Sequence, residues 1–310
     1  MRRRASRTRE RAVLAVYRLG WAGVRRLPER AAYALFDQVA DAAWRRRGTG
    51  VRRLEANLAR VRPELDDVGL RALSRAGMRS YLRYWCDTFR LPDWDEQRIT
   101  GTVRVVGDDA VRATLATGRG VVMFLGHLGN WDHAGAWSSL RLAPVTTVAE
   151  RLQPEQLFDD FVAFRERLGM TVVPLGGAGV FRQLMKALRG GAFVPLLADR
   201  DLTQGGVEVT FFGEPARMAV GPAALALQTG AALHPVSIHY ERRHRGWGIV
   251  ITWHDEVPVP QQVGRGAAAT RAAVGAMTQV CADVLAQAIA EHPQDWHMLQ
   301  RVFVADLAAR

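Results

Sequence analysis

The sequence predicts an α/β fold: a central mixed, largely parallel sheet flanked by helices, with a helical N-terminal section. Three observations predict it. Apolar residues recur at helical spacing up to about residue 100; beyond that, short β-rich runs alternate with helical ones; and no repeat, low-complexity segment or long linker separates the two regions. Pro28, Gly48-Thr49-Gly50, Pro63 and Pro92 divide the first region, each a natural helix stop or first-turn residue. The expected strands are Val103–Val106, Gly120–Leu125, Val145–Val148, Thr171–Pro174, Ala192–Leu197, Val207–Phe212, Leu233–Tyr240 and Ile249–His254. Helices fill the intervals, and a helical stretch from Ala267 to Ala290 precedes a short closing segment around Asp295 to Val304. The expected organisation is residues 1–100 as a helical section with a membrane-interface helix and 101–310 as the α/β core, in one continuous domain.

Composition narrows the setting. With 310 residues, 48% of them hydrophobic, the chain can bury a substantial core. A formal net charge of +11 draws it to polyanions: nucleic acid, anionic headgroups or a phosphate-rich cosubstrate. Lys186 is the only lysine, so the predominance of arginine reads as compositional bias, but the positive field remains. Cys86 and Cys281 lie far apart with no metal-ligand spacing around them, which points to a reducing, cytosolic-side location. No run is expected to be apolar enough to span a membrane, since Arg18 interrupts the stretch from Ala12 to Val24.

One helix face suits a membrane surface. Val13, Val16, Tyr17, Trp21, Val24 and Leu27 share a stripe bordered by Arg11, Arg18 and Arg25. The competing reading packs this stripe on the protein. The run Arg2, Arg3, Arg4, Arg7 and Arg9 favours lipid, because each charge near an anionic leaflet gains about 1 kcal/mol.

The stretch Val121 to Asp132 carries the chemistry: an apolar strand ending in a Gly-flanked His127, with Asp132 five residues on. Loops at strand ends are where such sheets place active sites. On a continuous helix the two side chains would diverge by about 140°, so they meet only if His127 is in the loop and Asp132 in the first helical turn. The carboxylate would then fix the tautomer and leave the other ring nitrogen as general base, with the substrate's own hydroxyl as nucleophile. The plain alternative is a satisfied histidine and an ordinary early-helix acid. A metal site from His127, Asp132 and His133 is disfavoured, because sequence neighbours point to different sides of a helix.

Later loops add candidates. Glu150-Arg151 closes one strand and Arg165 lies on the next helix; either is a surface charge or a substrate contact. Asp199-Arg200-Asp201 follows the apolar run Phe193–Ala198, where such charges are costly unless they pair or bind something. Gly176-Gly177-Ala178-Gly179 resembles an anion cradle or a simple helix-entry turn.

The segment Gly126-His127-Leu128-Gly129-Asn130-Trp131-Asp132 resembles the histidine loop of the lysophospholipid and lipid A acyltransferase superfamily. Arg53, Glu55, Asn57 and Leu58 resemble its N-terminal signature, Asp199, Asp201 and Phe211-Phe212-Gly213 its later blocks, and His292-Pro293-Gln294-Asp295-Trp296 its C-terminal motif. Within the superfamily, the stretch from Ala198 to Ala226 looks closer to the phosphatidylinositol mannoside branch than to the lipid A branch, which tends to carry Gln where Arg200 stands. The resemblance implies direct acyl transfer from acyl-CoA or acyl carrier protein to a lipid-linked hydroxyl, with no metal or other cofactor. It implies backbone amides around Gly126, Gly129 and Asn130 as oxyanion donors. Asp199 and Asp201, with Arg200, would take sugar hydroxyls, and Glu150 and Arg165 would fix the headgroup or the histidine; either aspartate could instead support His127 directly. The partners implied are acyl-CoA, a glycolipid acceptor and the anionic inner leaflet, with the protein peripheral on the cytoplasmic face. Lipid A-type or lysophospholipid acylation, and a non-catalytic lipid-binding protein, are the alternatives. A nucleic-acid-binding protein rests on charge alone, without stacking aromatics among the basic residues.

Overall fold

The computed structural model describes residues 20–151, 155–176, 179–201, 205–244, 246–260 and 266–308. The helical section comprises α1 (20–26), α2 (Glu29–Arg46), α3 (Thr49–Val61), α4 (Asp67–Arg90) and α5 (Glu96–Gly101). Then follow β1 (Val103–Val106), α6 (Asp109–Ala116), β2 (Val121–Leu125), α7 (Trp131–Arg141), β3 (Val145–Ala149), α8 (Glu155–Arg167), β4 (Met170–Pro174), α9 (Val180–Arg189) and β5 (Phe193–Leu197). The remainder is β6 (Val207–Phe211), β7 (Glu214–Met218), α10 (Gly221–Thr229), β8 (Ala232–Arg242), β9 (Trp247–Trp253), α11 (Ala267–Glu291) and α12 (Val304–Ala308).

Seven strands form one sheet in the order β1-β9-β8-β2-β5-β3-β4. Every pairing in it is parallel except β8 with β9, which gives the mixed, mostly parallel sheet expected. All five residues of β2 are buried, because both faces are covered. Val122 and Phe124 face a core built with α9, α10 and α11, while Val121, Met123 and Leu125 face one built with α7 and α8.

Three expectations are corrected. The run Val207–Phe212 is not part of the main sheet; β6 pairs antiparallel with β7 as a separate hairpin. Its two-residue turn, Phe212-Gly213, has φ of 49° and 77°, a conformation for which Phe in the first position gives no sequence signal. In the apolar stripe, Trp21 and Val24 are buried, and the Trp21 indole N–H donates to the Phe89 carbonyl at 2.8 Å. That part of the stripe belongs to the core, where an aromatic cluster with Phe161 and Phe164 removes more apolar surface from water than a bare helix could. Arg25 pairs with Asp93, whereas Arg11 and Arg18 lie outside the described residues. Lastly, α11 is long and apolar enough by composition to span a bilayer, but half of that stretch is buried inside the protein, against the hairpin and β8.

The C-terminal segment ties the two sections together. The Asn57 amide donates to the carbonyls of Met298 (2.8 Å) and Gln300 (2.9 Å), and Arg60 pairs with both Glu214 and Asp306. Asp295 accepts from Ser80 Oγ of α4 and from the Tyr240 amide of β8.

Candidate active site

Strands β2 and β5 lie side by side with Leu125 opposite Leu197. Each chain continues two residues past that pair, to His127 and Asp199. Equal overhang from a shared register brings them together: His127 Nδ1 lies 2.6 Å from Asp199 Oδ1, and the His127 amide donates to Asp199 Oδ2 at 2.9 Å. The Trp296 indole N–H donates to the same oxygen at 3.0 Å. Burial pushes the Asp199 carboxyl up, but the His127 charge and these hydrogen bonds outweigh it and hold the group below the ordinary range. Asp199 is therefore a fully buried carboxylate placed to accept from Nδ1–H; in the neutral tautomer that this favours, Nε2 carries the lone pair. The His127 side chain is 18% exposed, so the ring is reachable and its partner is not.

The loop holding His127 is fixed from behind. Gly129 has φ of 55°, and a Cβ there would stand 2.7 Å from the Ile238 carbonyl oxygen, so only glycine fits. Asn130 caps α7 by accepting from the His133 amide at 2.9 Å. The amide of His297 donates to the His127 carbonyl at 2.8 Å, and that of Gly129 to the Asp295 carbonyl at 2.9 Å.

Asp132, expected to orient the imidazole, does not touch it. It sits in the first turn of α7 as anticipated, but faces the neighbouring helices: Oδ1 accepts from Arg165 Nε at 2.7 Å and Oδ2 from the Tyr84 hydroxyl at 2.8 Å. His127 leans the other way, toward β5. Burial alone would lower the Arg165 pKa, yet Asp132 and Tyr84 raise it, so the pair is a buried ion pair joining α4, α7 and α8. The three residues considered for a metal are thereby separated, His133 being bonded to the Ile99 carbonyl at 3.0 Å.

The other candidates divide. Glu150 and Arg200 both line the cavity in front of His127 and approach each other at 3.4 Å; Arg200 also donates to Gln300 Oε1. Arg165 lines the cavity but is occupied by Asp132. Asp199 is enclosed and cannot meet a sugar. Asp201 does not line the cavity; it accepts from the Gly206 amide at 2.7 Å in the turn after β5. Gly126, Gly129 and Asn130 lie outside the lining, and the Gly129 amide is already bonded to the Asp295 carbonyl. Gly177 and Ala178 of the glycine-rich turn lie outside the described residues.

The cavity measures about 410 Å³. From His127 it passes Leu125 and Met123 and reaches Val145, Met170 and Phe193. Those last three are the first residues of their strands, at the level of Val121, so the cavity follows β2 for about 13 Å. A reachable imidazole thus stands at the mouth of a deep apolar slot. The family profile described as bacterial lipid A biosynthesis acyltransferase matches residues 2–304.

The chain belongs to that acyltransferase family. Among curated relatives, phosphatidylinositol mannoside acyltransferase of Mycobacterium tuberculosis (strain CDC 1551 / Oshkosh) is 45% identical over 296 residues, covering 94% of this chain and 89% of the relative. The enzyme of that name from Mycolicibacterium smegmatis is 43% identical over 296 residues, covering 94% and 91%.

Two side chains of this family member escaped the sequence reading. His297 lies one residue past the C-terminal motif and lines the cavity. Burial, helped by the Arg83 and His127 charges, pushes its pKa down to about 3, so it is neutral. Its Nε2 meets Ser80 Oγ at 3.0 Å, and that hydroxyl donates to Asp295; the imidazole proton is therefore on Nε2 and the Nδ1 lone pair has no partner among the described residues. Trp131, edge-on to the His127 ring at 5.5 Å, lines the cavity, and its indole N–H has no partner among the described residues. A lone histidine or tryptophan beside a loop gives no signal of this kind until the fold encloses it.

Proposed function

We propose that the protein transfers a long acyl chain from acyl-CoA to a mannose hydroxyl of a phosphatidylinositol mannoside glycolipid. The observation that carries this reading is the His127–Asp199 pair at the mouth of the apolar cavity; the names of the relatives supply the acceptor. The acyl chain lies along β2 with its thioester carbonyl beside His127. His127 Nε2 takes the proton of the mannose hydroxyl, and the oxygen bonds to the carbonyl carbon. Asp199 holds the imidazolium that forms. Collapse of the tetrahedral intermediate breaks the carbon–sulfur bond, and the imidazolium returns the proton to the thiolate, leaving acylated glycolipid and free CoA. The Trp131 indole N–H is assigned to the carbonyl oxygen, and Glu150, Arg200 and the bare His297 Nδ1 to the sugar. The arginine-rich N-terminus and lipid substrates support a peripheral position on the cytoplasmic membrane face.

Purified protein offered palmitoyl-CoA with a phosphatidylinositol mannoside should acylate it, and His127→Ala should abolish turnover. The family description favours one other reading, lipid A-type acylation. Robust acylation of a lipid A precursor with none of the mannoside would overturn the acceptor, and thioester left intact beside bound lipid would reduce the protein to a carrier.

A further inference from the structure

A second cavity, about 320 Å³, is lined by Arg52, Arg53, Arg301, Gln300 and Asp306 among others. It borders the reaction cavity, since Gln300 lines both. Three of the four residues that make up the N-terminal signature have structural roles: Glu55 pairs with Arg47 and Arg71, Asn57 holds the Met298 and Gln300 carbonyls, and Leu58 is core. Arg53 is the exception. Among the described residues, neither it nor Arg301 has a side-chain hydrogen bond or carboxylate partner, and Arg52 donates only to the Arg47 carbonyl and the Thr49 hydroxyl. The one carboxylate in the lining, Asp306, is already bound by both terminal nitrogens of Arg60.

We infer that this arginine cradle binds the phosphates of the CoA donor. The inference rests on the acyl-CoA reading above and adds to it the place where the nucleotide end is held. The charge supports a polyanion: three guanidinium groups without carboxylate partners match a pyrophosphate and a ribose phosphate better than the single charge of a lipid phosphodiester. The reach supports it too. His297 is bonded to His127 through the backbone, and Arg301 lies four residues further, so its Cα is within about 14 Å of that of His297. A pantetheine arm with its thioester at His127 can cover that separation. The positive end of the α3 dipole adds a minor contribution of the same sign.

The test compares palmitoyl-CoA with palmitoyl-pantetheine, which lacks the nucleotide and its phosphates, in wild type and in Arg53→Gln/Arg301→Gln. The preference for the CoA thioester, as a ratio of kcat/KM values, should fall about ten- to a hundredfold in the variant. The Kd of free CoA measured by calorimetry should rise by a similar factor, while KM for the mannoside stays within about twofold. An unchanged preference and an unchanged CoA affinity would overturn the assignment; so would a rise in the mannoside KM alone, which would give the cradle to the acceptor phosphodiester. CoA binding needs no turnover, so a wild type that binds CoA through these arginines yet acylates nothing separates failure of the proposed function from failure of the cradle.

Discussion

His127 and Asp199 form a hydrogen-bonded pair of unequal exposure, the carboxylate enclosed and the imidazole reachable. Asp199→Asn would keep the shape but remove the charge that holds the imidazolium, and the amide could also present a donor to Nδ1. We expect kcat to fall by about 10³–10⁴ with little change in thermal midpoint; a loss below tenfold would take Asp199 out of the proposed mechanism. Asp132→Ala should behave differently. It strands the Arg165 guanidinium in a buried site and leaves the Tyr84 hydroxyl without its acceptor, so stability should drop by about 3–5 kcal/mol. Urea denaturation of the two variants side by side checks the division of labour. Equal stability losses would contradict it.

Among the elements, α7 and β4 shape the far end of the cavity. A Cβ at Gly135 would stand 2.6 Å from Met170 Cε and 3.0 Å from its Sδ, and both residues line the cavity. Methionine is flexible, so Gly135→Ala should displace the thioether toward the cavity floor rather than break the helix, and alanine adds about 1 kcal/mol of helix propensity. The acyl preference should shift to shorter chains, read as the chain-length profile of kcat/KM. A profile identical to wild type would show that the floor lies elsewhere. The β6–β7 hairpin teaches the opposite lesson at this scale: its strand pattern was partly legible as Val207–Phe212, but its partner was not, because Pro215 within β7 argues against a strand and Phe212-Gly213 lacks the usual turn residues.

Over the whole molecule, burial of histidines links stability to pH. His133 is held neutral by burial with its pKa down to about 4, and His297 down to about 3. Unfolded histidines titrate near 6.5, so on acidification the unfolded chain takes up protons that the folded one refuses, and stability is lost as pH falls from about 6.5 toward 4. Asp87 opposes this. Burial raises its pKa to about 6, so its contribution is present at low pH and lost as pH rises through that value. His239, with its pKa down to about 4, and His254, also lowered by burial, act with His133 and His297, while Asp295, raised by burial, sides with Asp87; four histidines against two aspartates leave stability falling as pH drops through that window. Urea midpoints at pH 7 and pH 5 should show the fall, and His133→Gln should flatten it; a midpoint that rises on acidification would reverse the sign.

The sequence by itself determined the class of fold, the helical section, the main-sheet strands to within a few residues, and the histidine at the end of β2. Those features are local: apolar period, turn residues and glycine positions are written along the chain. Only the tertiary structure decided what His127 leans on. Asp199 stands 72 residues away, and its place follows from strand register, a non-local pairing that periodicity does not encode. The same holds for Trp21, whose amphipathic stripe is equally suited to lipid or to a protein surface until the aromatic cluster around Phe89 and Phe161 is assembled. Asp132 had the right spacing for His127, but the packing of α4 and α8 against α7 offered its carboxylate a buried guanidinium, and in a low-dielectric interior that stronger partner fixed its orientation.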